Sequence, residues 1–277
     1  MIIGVDLGGT NIRAGIIDNG SITKVNHILL TEKESLEKTI SQLISVIRPL
    51  LNPAVRGIGV GVPSVVDIEN GIVYNVANIP SWHKVELKKI LEKEFSLPVR
   101  INNDVNCFAL GEHRYGQGKS FDSFVALALG TGMGAGIVIN NSLYTGSNCG
   151  AGEIGSLPYL DHTYEFYASS SFFESLFSTT AIKAHESAIQ GDEEALETWA
   201  AFGSHLGNVI KAITYTYDPQ AIILGGSIAM AFPLFEKSML QALEDFIYPE
   251  TMKRLKILRS EIGNVALLGA AALFPLE

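Results

Sequence analysis

The chain has 277 residues, enough for one large domain or two medium ones that each bury a core, and its 47% hydrophobic, 18% charged composition is that of a folded globular protein. A formal net charge of -9, with no Lys/Arg-rich run to offset it, argues against a nucleic-acid partner, whose phosphates need a basic footprint. The two cysteines, Cys107 and Cys149, form no CxxC pair and allow one disulfide at most, so a reducing compartment is the expectation.

The amino terminus enters a strand at once, without the charged and apolar regions of a signal peptide, and no uncharged run reaches the roughly 20 residues that cross a bilayer. These features lead to the expectation of a soluble, cytoplasmic protein with no membrane partner. Residues 2–30 read as three short strands, with "DNG" at 18–20 as a hairpin turn. The first two strands are joined by Gly8-Gly9-Thr10 in "GVDLGGTNIRAGIIDNG". A hairpin does not need glycines flanked by an acid, Asp6, and a hydroxyl, so the turn reads as a place where a ligand meets the backbone. "SLEKTISQLISVIRPLL" carries apolar residues at helical spacing behind Ser35 as cap. Then come a buried strand in "VRGIGVGVPSVVD", a hairpin in "DIENGIVYN" and a short amphipathic helix in "VELKKILEKEF". A strand in "PVRINND" and a helix in "VNCFALGEHRYG" close the first part. Hairpins followed by alternating β and α segments make an α/β fold.

From about residue 121 the pattern starts again. "FVALALGTGMGAGIVINNS" lies over the opening stretch at an offset of 121, which sets Gly9-Thr10 on Gly130-Thr131 and Asn19 on Asn140. That period is too long for a solenoid and suggests two similar halves facing each other. The remainder is more helical, with helices expected over 172–190, 192–217, 233–247 and 264–274. One clear strand, "AIILGGSI", ends at Gly225-Gly226.

Three strand ends therefore carry glycine turns: Gly8-Gly9-Thr10, Gly130-Thr131-Gly132 and Gly225-Gly226-Ser227. Glycine lets backbone N–H groups approach a phosphate, and Thr or Ser adds a hydroxyl donor. One such turn is ordinarily only a turn; three, two of them related by a repeat, point to a nucleotide in a cleft between halves. None is a Walker A loop or a dinucleotide-binding G-x-G-x-x-G that opens a helix. Asp6, in an apolar strand, is costly without a partner, and a water-bound Mg²⁺ or a cluster of backbone N–H groups would supply one. In "INNDVNCF", Asn102, Asn103 and Asp104 stand where a strand gives way to a helix, and open α/β sheets bind ligands at the carboxyl ends of their strands. Asp104 can take a proton from an alcohol there and Asn can pair with hydroxyls, while a helix N-cap is the competing reading. Glu153, among glycines in "NCGAGEIGS", suits the chelation of vicinal hydroxyls or is an exposed turn acid. In "NIPSWH", Asn78 is placed for a sugar-facing loop, whereas Trp82 reads as a core anchor. The six histidines show no metal-ligand spacing.

Taken in order, Gly8-Gly9-Thr10, "NND", "LGTGMGAG", "GAGEIG" and "LGGSIA" make the chain resemble the ROK family (repressors, open reading frames and sugar kinases) over essentially its whole length. The resemblance implies two actin-like, ribonuclease-H-like α/β lobes with a nucleotide- and sugar-binding cleft between them. The small lobe would be 1–110, with the helix at 264–277 packing back on it, and the large lobe 111–263. ATP with Mg²⁺ is the implied cofactor pair, and the glycine turns become phosphate-1, phosphate-2 and adenosine motifs. Asp104 is the implied catalytic base, with Asn103, Glu153 and Glu174 (in "FFESLFS") as sugar ligands. Ser156 stands where the family usually has the histidine of G-E-I-G-H. "EFYASSSFFE" lacks the cysteines of the family's C-x-C-G-x-x-G-C-x-E segment. No zinc site is therefore expected, since one needs four N/S ligands, and Phe166, Tyr167, Phe172 and Phe173 are the candidates for holding the loop instead. Ser64, in "GVPSVVD", replaces a common glycine and joins Asn78 in the expected sugar-facing set.

The expected activity is ATP-dependent phosphorylation of a hexose or N-acetylhexosamine. Glucose is the default sugar, N-acetylmannosamine, N-acetylglucosamine, mannose, fructose and allose are alternatives, and a homodimer is the expected assembly. Two other classes stay open. One is a sugar-responsive regulator without catalysis, whose family members carry an amino-terminal helix-turn-helix that this sequence does not show. The other is an actin-like ATPase acting on a protein client, which would not need Asn103, Asp104, Glu153 and Glu174 together.

Overall fold

The computed structural model describes residues 1–275. Three antiparallel strands open it, β1 (Ile2–Leu7), β2 (Asn11–Asp18) and β3 (Ser21–Leu29), and β3, at the sheet edge, is the most exposed. α1 (Leu36–Ile47) starts at Ser35, whose hydroxyl accepts the Lys38 N–H at 3.4 Å. All of β4 (Ile58–Val62) is buried, as its apolar sequence demands of a strand covered on both faces. β5 (Val66–Asp67), β6 (Ile72–Tyr74) and β7 (Lys84–Val85) form a small separate sheet, followed by α2 (Leu87–Phe95). β8 (Val99–Asn103) then runs directly into α3 (Asp104–Tyr115).

The second half begins with β9 (Phe124–Leu129), β10 (Met133–Ile139) and β11 (Ser142–Tyr144). A hairpin of β12 (Pro158–Tyr159) and β13 (His162–Thr163) leads to α4 (Tyr164–Ala168), α5 (Ser170–Phe177), α6 (Ala181–Ile189) and the long α7 (Glu193–Tyr217). β14 (Ala221–Gly225), α8 (Phe232–Gln241), α9 (Pro249–Arg254), β15 (Lys256–Arg259) and α10 (Val265–Ala271) complete the fold. The main sheets run β3-β2-β1-β4-β8 and β11-β10-β9-β14-β15. In each, two antiparallel pairs precede two parallel ones, so the 121-residue offset in the sequence is a repeat of topology.

Helix boundaries depart from the periodic reading in three places. The helix expected over 172–190 is two, because Ser178 turns left-handed (φ 52°) and Thr180 then caps α6 by accepting the Lys183 N–H at 3.2 Å. The one expected over 233–247 stops at Gln241, and the chain continues in turns that bury Leu243 and Phe246. The last helix spans Val265–Ala271, and the final two positions of the expected 264–277 lie outside the described residues. Among the described residues no helix is long and apolar enough to cross a membrane.

Each sheet has its own apolar cluster. That of the first contains Trp82, 1% exposed and the core anchor it was read as; that of the second is built around Trp199 and Phe202 of α7. α3 and α10 pack on each other between the sheets. α10 lies so close to the first sheet that a Cβ on Gly59 would stand 1.8 Å from the Ala270 carbonyl oxygen, and one on Gly4 would stand 2.1 Å from that of Leu267. Gly59→Ala should therefore lift α10 and cost about 1–3 kcal/mol, the usual penalty of overpacking, measured as a lower urea midpoint. Gly263→Ala, whose methyl would meet nothing within 4 Å, should stay within about 0.5 kcal/mol of the parent.

Candidate active site

The ends of β1, β9 and β14 open on a cavity of about 620 Å³ between the two sheets. Gly8, Gly130, Thr131, Gly225 and Gly226 line it with Asp6, Arg13 and Asp104. All three glycine turns thus meet in one space. At Gly226 (φ 85°) a Cβ would stand 2.2 Å from the Leu129 carbonyl oxygen, so only glycine lets the turn after β14 cross the end of β9. A larger hollow of about 730 Å³, on the outer side of the first sheet near Lys88 and Arg100, collects none of these turns.

Asp104 is the first residue of α3, and the helix cap is its neighbour. Asn103 Oδ1 accepts the N–H groups of Val105 at 2.8 Å and Asn106 at 3.1 Å, so the capping role is filled one residue earlier. Asn103 Nδ2 donates to the Ser64 carbonyl at 3.4 Å, while the Ser64 hydroxyl donates to the Tyr74 carbonyl. Ser64 therefore holds Asn103 through its backbone, with its hydroxyl already engaged. Burial pushes the Asp104 carboxyl up to about 7, the charges of Asp6 and Glu153 add to that, and the Val105 N–H at 2.9 Å opposes it. A helix N-terminus favours a carboxylate, but here desolvation wins.

Asp6 faces Arg13 across the β1–β2 ladder, with the guanidinium 3.1 Å from its carboxylate. Burial still raises Asp6 above its ordinary value, outweighing Arg13. Arg13 was not singled out in the sequence, although the hairpin register that pairs it with Asp6 could be counted from the turn. Mg²⁺ is commonly held by one or two carboxylates and the substrate's phosphates. A buried acid with a single cation beside it, opposite glycine turns, fits that use. Among the described residues no three His, Cys, Asp or Glu side chains stand together to hold a metal ion by themselves.

On the other side, Asn78 packs its side chain against Gly9, where a Cβ would be 2.7 Å away, and so lies beside the first glycine turn. Thr10 is exposed, and its carbonyl accepts the Leu30 N–H at 2.8 Å. Glu153 is exposed to solvent, yet partial desolvation and then the charge of Glu165 raise its carboxyl. Glu165 itself, on α4, accepts the Met133 N–H at 2.9 Å and crowds Gly132. Glu174 is different. It is exposed on α5 beside the buried Phe172 and Phe173, and no interaction ties it to this cluster. The glutamate brought to Glu153 and the second glycine turn is thus Glu165, at the start of "EFYASS", rather than the one at the end of that stretch. The resemblance pointed to Glu174 through the spacing of a segment whose cysteines this chain lacks, and Glu165 is the acid that this spacing did not single out.

Aromatic rings knit the cysteine-free segment. Tyr159 stacks on Tyr164 at 4.6 Å and meets Tyr167 edge-on at 5.4 Å, and His162 stacks on Phe166 at 3.9 Å. The Tyr167 hydroxyl donates to Asp161, and Tyr159 Oη lies 3.2 Å from Nδ1 of His205 on α7, whose pKa is lowered by burial. Phe172 and Phe173 pack instead on α7, Phe173 at 4.6 Å from Trp199.

Two lobes of matching topology, each offering glycine turns to one shared cavity with acids at its wall, define the two-lobed actin-like fold. The chain belongs to the ROK family, whose model matches residues 2–277. It is 30% identical to the glucokinase of Thermotoga maritima over 98% of this chain and 96% of that one. It is 27% identical to the xylose repressor of Bacillus subtilis over 98% of this chain and 76% of the repressor. A crystal structure of a ROK family glucokinase from Streptomyces griseus, in complex with glucose and AMPPNP, superposes with a TM-score of 0.85 at 27% identity, covering 98% of each chain.

The folded protein keeps a proton on Asp104 up to about 7, whereas an unfolded chain releases it near the ordinary 3.8. The native state then binds more protons than the unfolded one between these values, so stability falls as pH rises through that window. Asp104→Asn should melt higher than the parent at pH 8, with the gap closing toward pH 4; a gap independent of pH would rule out a buried ionising Asp104. Tyr159→Ala removes three ring contacts and should cost about 2 kcal/mol or more, whereas dialysis against EDTA should leave the melting temperature of the parent unchanged.

Proposed function

We propose that the protein is an ATP-dependent kinase of a hexose or N-acetylhexosamine, with glucose as the first candidate and Asp104 as general base. One observation carries the reading: an acid raised to about 7 stands in the wall of the cavity on which three glycine turns converge. Such a group exchanges a proton near neutral pH, which is what activating an alcohol requires. The kinase relatives, and the glucose and AMPPNP bound by one of them, support the same assignment.

In this mechanism Asp104 accepts the proton of the attacking sugar hydroxyl. Asn103, fixed by its two capping bonds and by Ser64, and Glu153 with Glu165 hold neighbouring hydroxyls. The backbones at Gly8–Thr10, Gly130–Gly132 and Gly225–Gly226 hold the nucleotide, with Asn78 supporting the first of them. Mg²⁺, carried by the phosphates and reached by Asp6 through water, would supply charge neutralisation. Arg13, at the same wall, adds a second positive charge where phosphoryl transfer needs it. Lobe closure, with the first sheet and α10 moving against the second sheet and α3, excludes water from the transfer. The two free, buried cysteines favour a reducing, cytoplasmic setting, and a homodimer is the assembly proposed with it.

A regulator that binds sugar without transferring phosphate is the second reading, favoured by the similarity to the xylose repressor. A coupled assay of ADP release with glucose, N-acetylmannosamine, N-acetylglucosamine, mannose, fructose and allose separates the two. Sugar-dependent release is expected; a sugar that raises the melting temperature without ADP release would replace the kinase by the regulator. Asp104→Asn should lower kcat by at least about a hundredfold, the range of general-base catalysis. The kcat/KM of the parent should rise with pH through about 7. Asp6→Asn should move that midpoint down, because it removes a charge that raises Asp104.

A further inference from the structure

The loop that follows β11 belongs to one lobe and is fastened to the other. Its stem sits on the second sheet, where the Gly152 carbonyl accepts the Ala135 N–H at 3.0 Å and the Ala151 N–H donates to the Thr145 carbonyl at 3.2 Å. Cys149, in the same loop, is only 4% exposed and is buried in the apolar cluster of the first sheet. Its thiol donates to Asn102 Oδ1 at 3.3 Å and accepts from Asn106 Nδ2 at 3.6 Å. The same Asn102 oxygen accepts the Asn103 N–H at 2.8 Å and Asn106 Nδ2 at 2.9 Å. One amide oxygen thus gathers the turn before Asp104, the first turn of α3, and a side chain from across the cleft. Asn106 Oδ1 finds no partner among the described residues, so the cluster has no surplus donor to replace the thiol.

The backbone at Cys149 is left-handed (φ 56°), a conformation that side chains other than Asn and Asp adopt rarely. A residue persists there when its surroundings over-determine it. Burial also raises the thiol above its ordinary value, which keeps the S–H donor intact at neutral pH.

We propose that Cys149 is a positioning residue, a peg that crosses the cleft and fixes the Glu153 loop to the Asn102–Asp104 turn. Its role is to set the Glu153 carboxylate against the base, and it rests on the kinase reading above. Sugar held by both acids favours the pegged loop, and withdrawal of the loop on lobe opening frees the thiol.

Two variants test this. Cys149→Gly removes the peg at a φ that suits glycine, and Cys149→Ser keeps a hydrogen-bond donor. With glucose and MgATP, Cys149→Gly should raise the KM for sugar at least about tenfold, the equivalent of one lost buried hydrogen bond. The KM for ATP should stay within about twofold of the parent value, and Cys149→Ser should recover most of the loss. Hydrogen exchange of the same proteins without ligand should speed up at least about tenfold in the peptide 100–107 of the Gly variant, against no change in 124–129. A parental sugar KM in Cys149→Gly, equal rises in both KM values, or no rescue by Ser would each overturn the peg. If the parent releases no ADP with any sugar, the kinase reading falls, and hydrogen exchange alone decides: acceleration confined to 100–107 upholds the peg and its absence overturns it.

Discussion

The structure depends on an exchange of two helices between two sheets. α3 follows the last strand of the first sheet but packs on β9 and β10 of the second, burying Phe108 and Ala109 against Phe124 and Val138. α10 follows the last strand of the second sheet and packs on β1 and β4 of the first. The two helices also pack on each other, with Gly269 so close that a Cβ would fall 1.6 Å from the Cys107 carbonyl oxygen. A glycine forms one side of the tightest approaches: Gly4 and Gly59 under α10, Gly136 under α3. Backbone-to-backbone packing of this kind leaves little room for either helix to slide. Asp104, at the first residue of α3, is therefore fixed by the contacts that join the lobes. Glu112, fully buried on the same helix, extends the tie by accepting from Ser260 just after β15 and from the Gln117 N–H at 3.0 Å.

On this frame the cavity concentrates negative charge that the fold does not neutralise. Asp6 and Asp104 are both raised by burial, and Arg13 stands beside only the first. Acids held this way oppose folding at neutral pH, so their placement makes sense as a cost accepted for chemistry. Each feature that raises Asp104 also makes it a better proton acceptor once ionised, and a cation entering beside Asp6 relieves the repulsion. Charge on an incoming ligand and charge in the wall are thus complementary.

Much of this was legible in the chain because it was written in short-range patterns. β1, β2 and the second glycine hairpin repeat the same alternation of apolar residue and turn, and each turn had to lie at the end of a strand, where sheets bind ligands. Asp104 could be singled out from "INND" for the same reason. What failed were features decided by tertiary contact. Ser178 breaks a helix that periodicity alone would continue: its left-handed backbone (φ 52°) ends α5, and Thr180 then caps α6. The bond from the Ser64 hydroxyl to the Tyr74 carbonyl is likewise unwritten in the local sequence. Arg13 lay in an alternating strand, and its importance appears only when the register sets it opposite Asp6. The cross-lobe burial of Cys149 leaves no local trace at all.

The two glutamates of "EFYASSSFFE" stand on two successive helices in different surroundings. A metal holds a loop through directional bonds to a few atoms, so its ligands must recur at set spacings. Stacked rings hold by area and tolerate variation in spacing, so the hairpin of β12 and β13 can be fixed by Tyr159, Tyr164, Phe166 and Tyr167 without a spacing rule. α4 continues directly from that hairpin. Glu165 is there; Glu174 lies a helix further on, after Ser169 has ended α4 and capped α5. The ring cluster thus holds the hairpin from which α4 starts, and α4 sets Glu165 against the Met133 N–H at the second glycine turn.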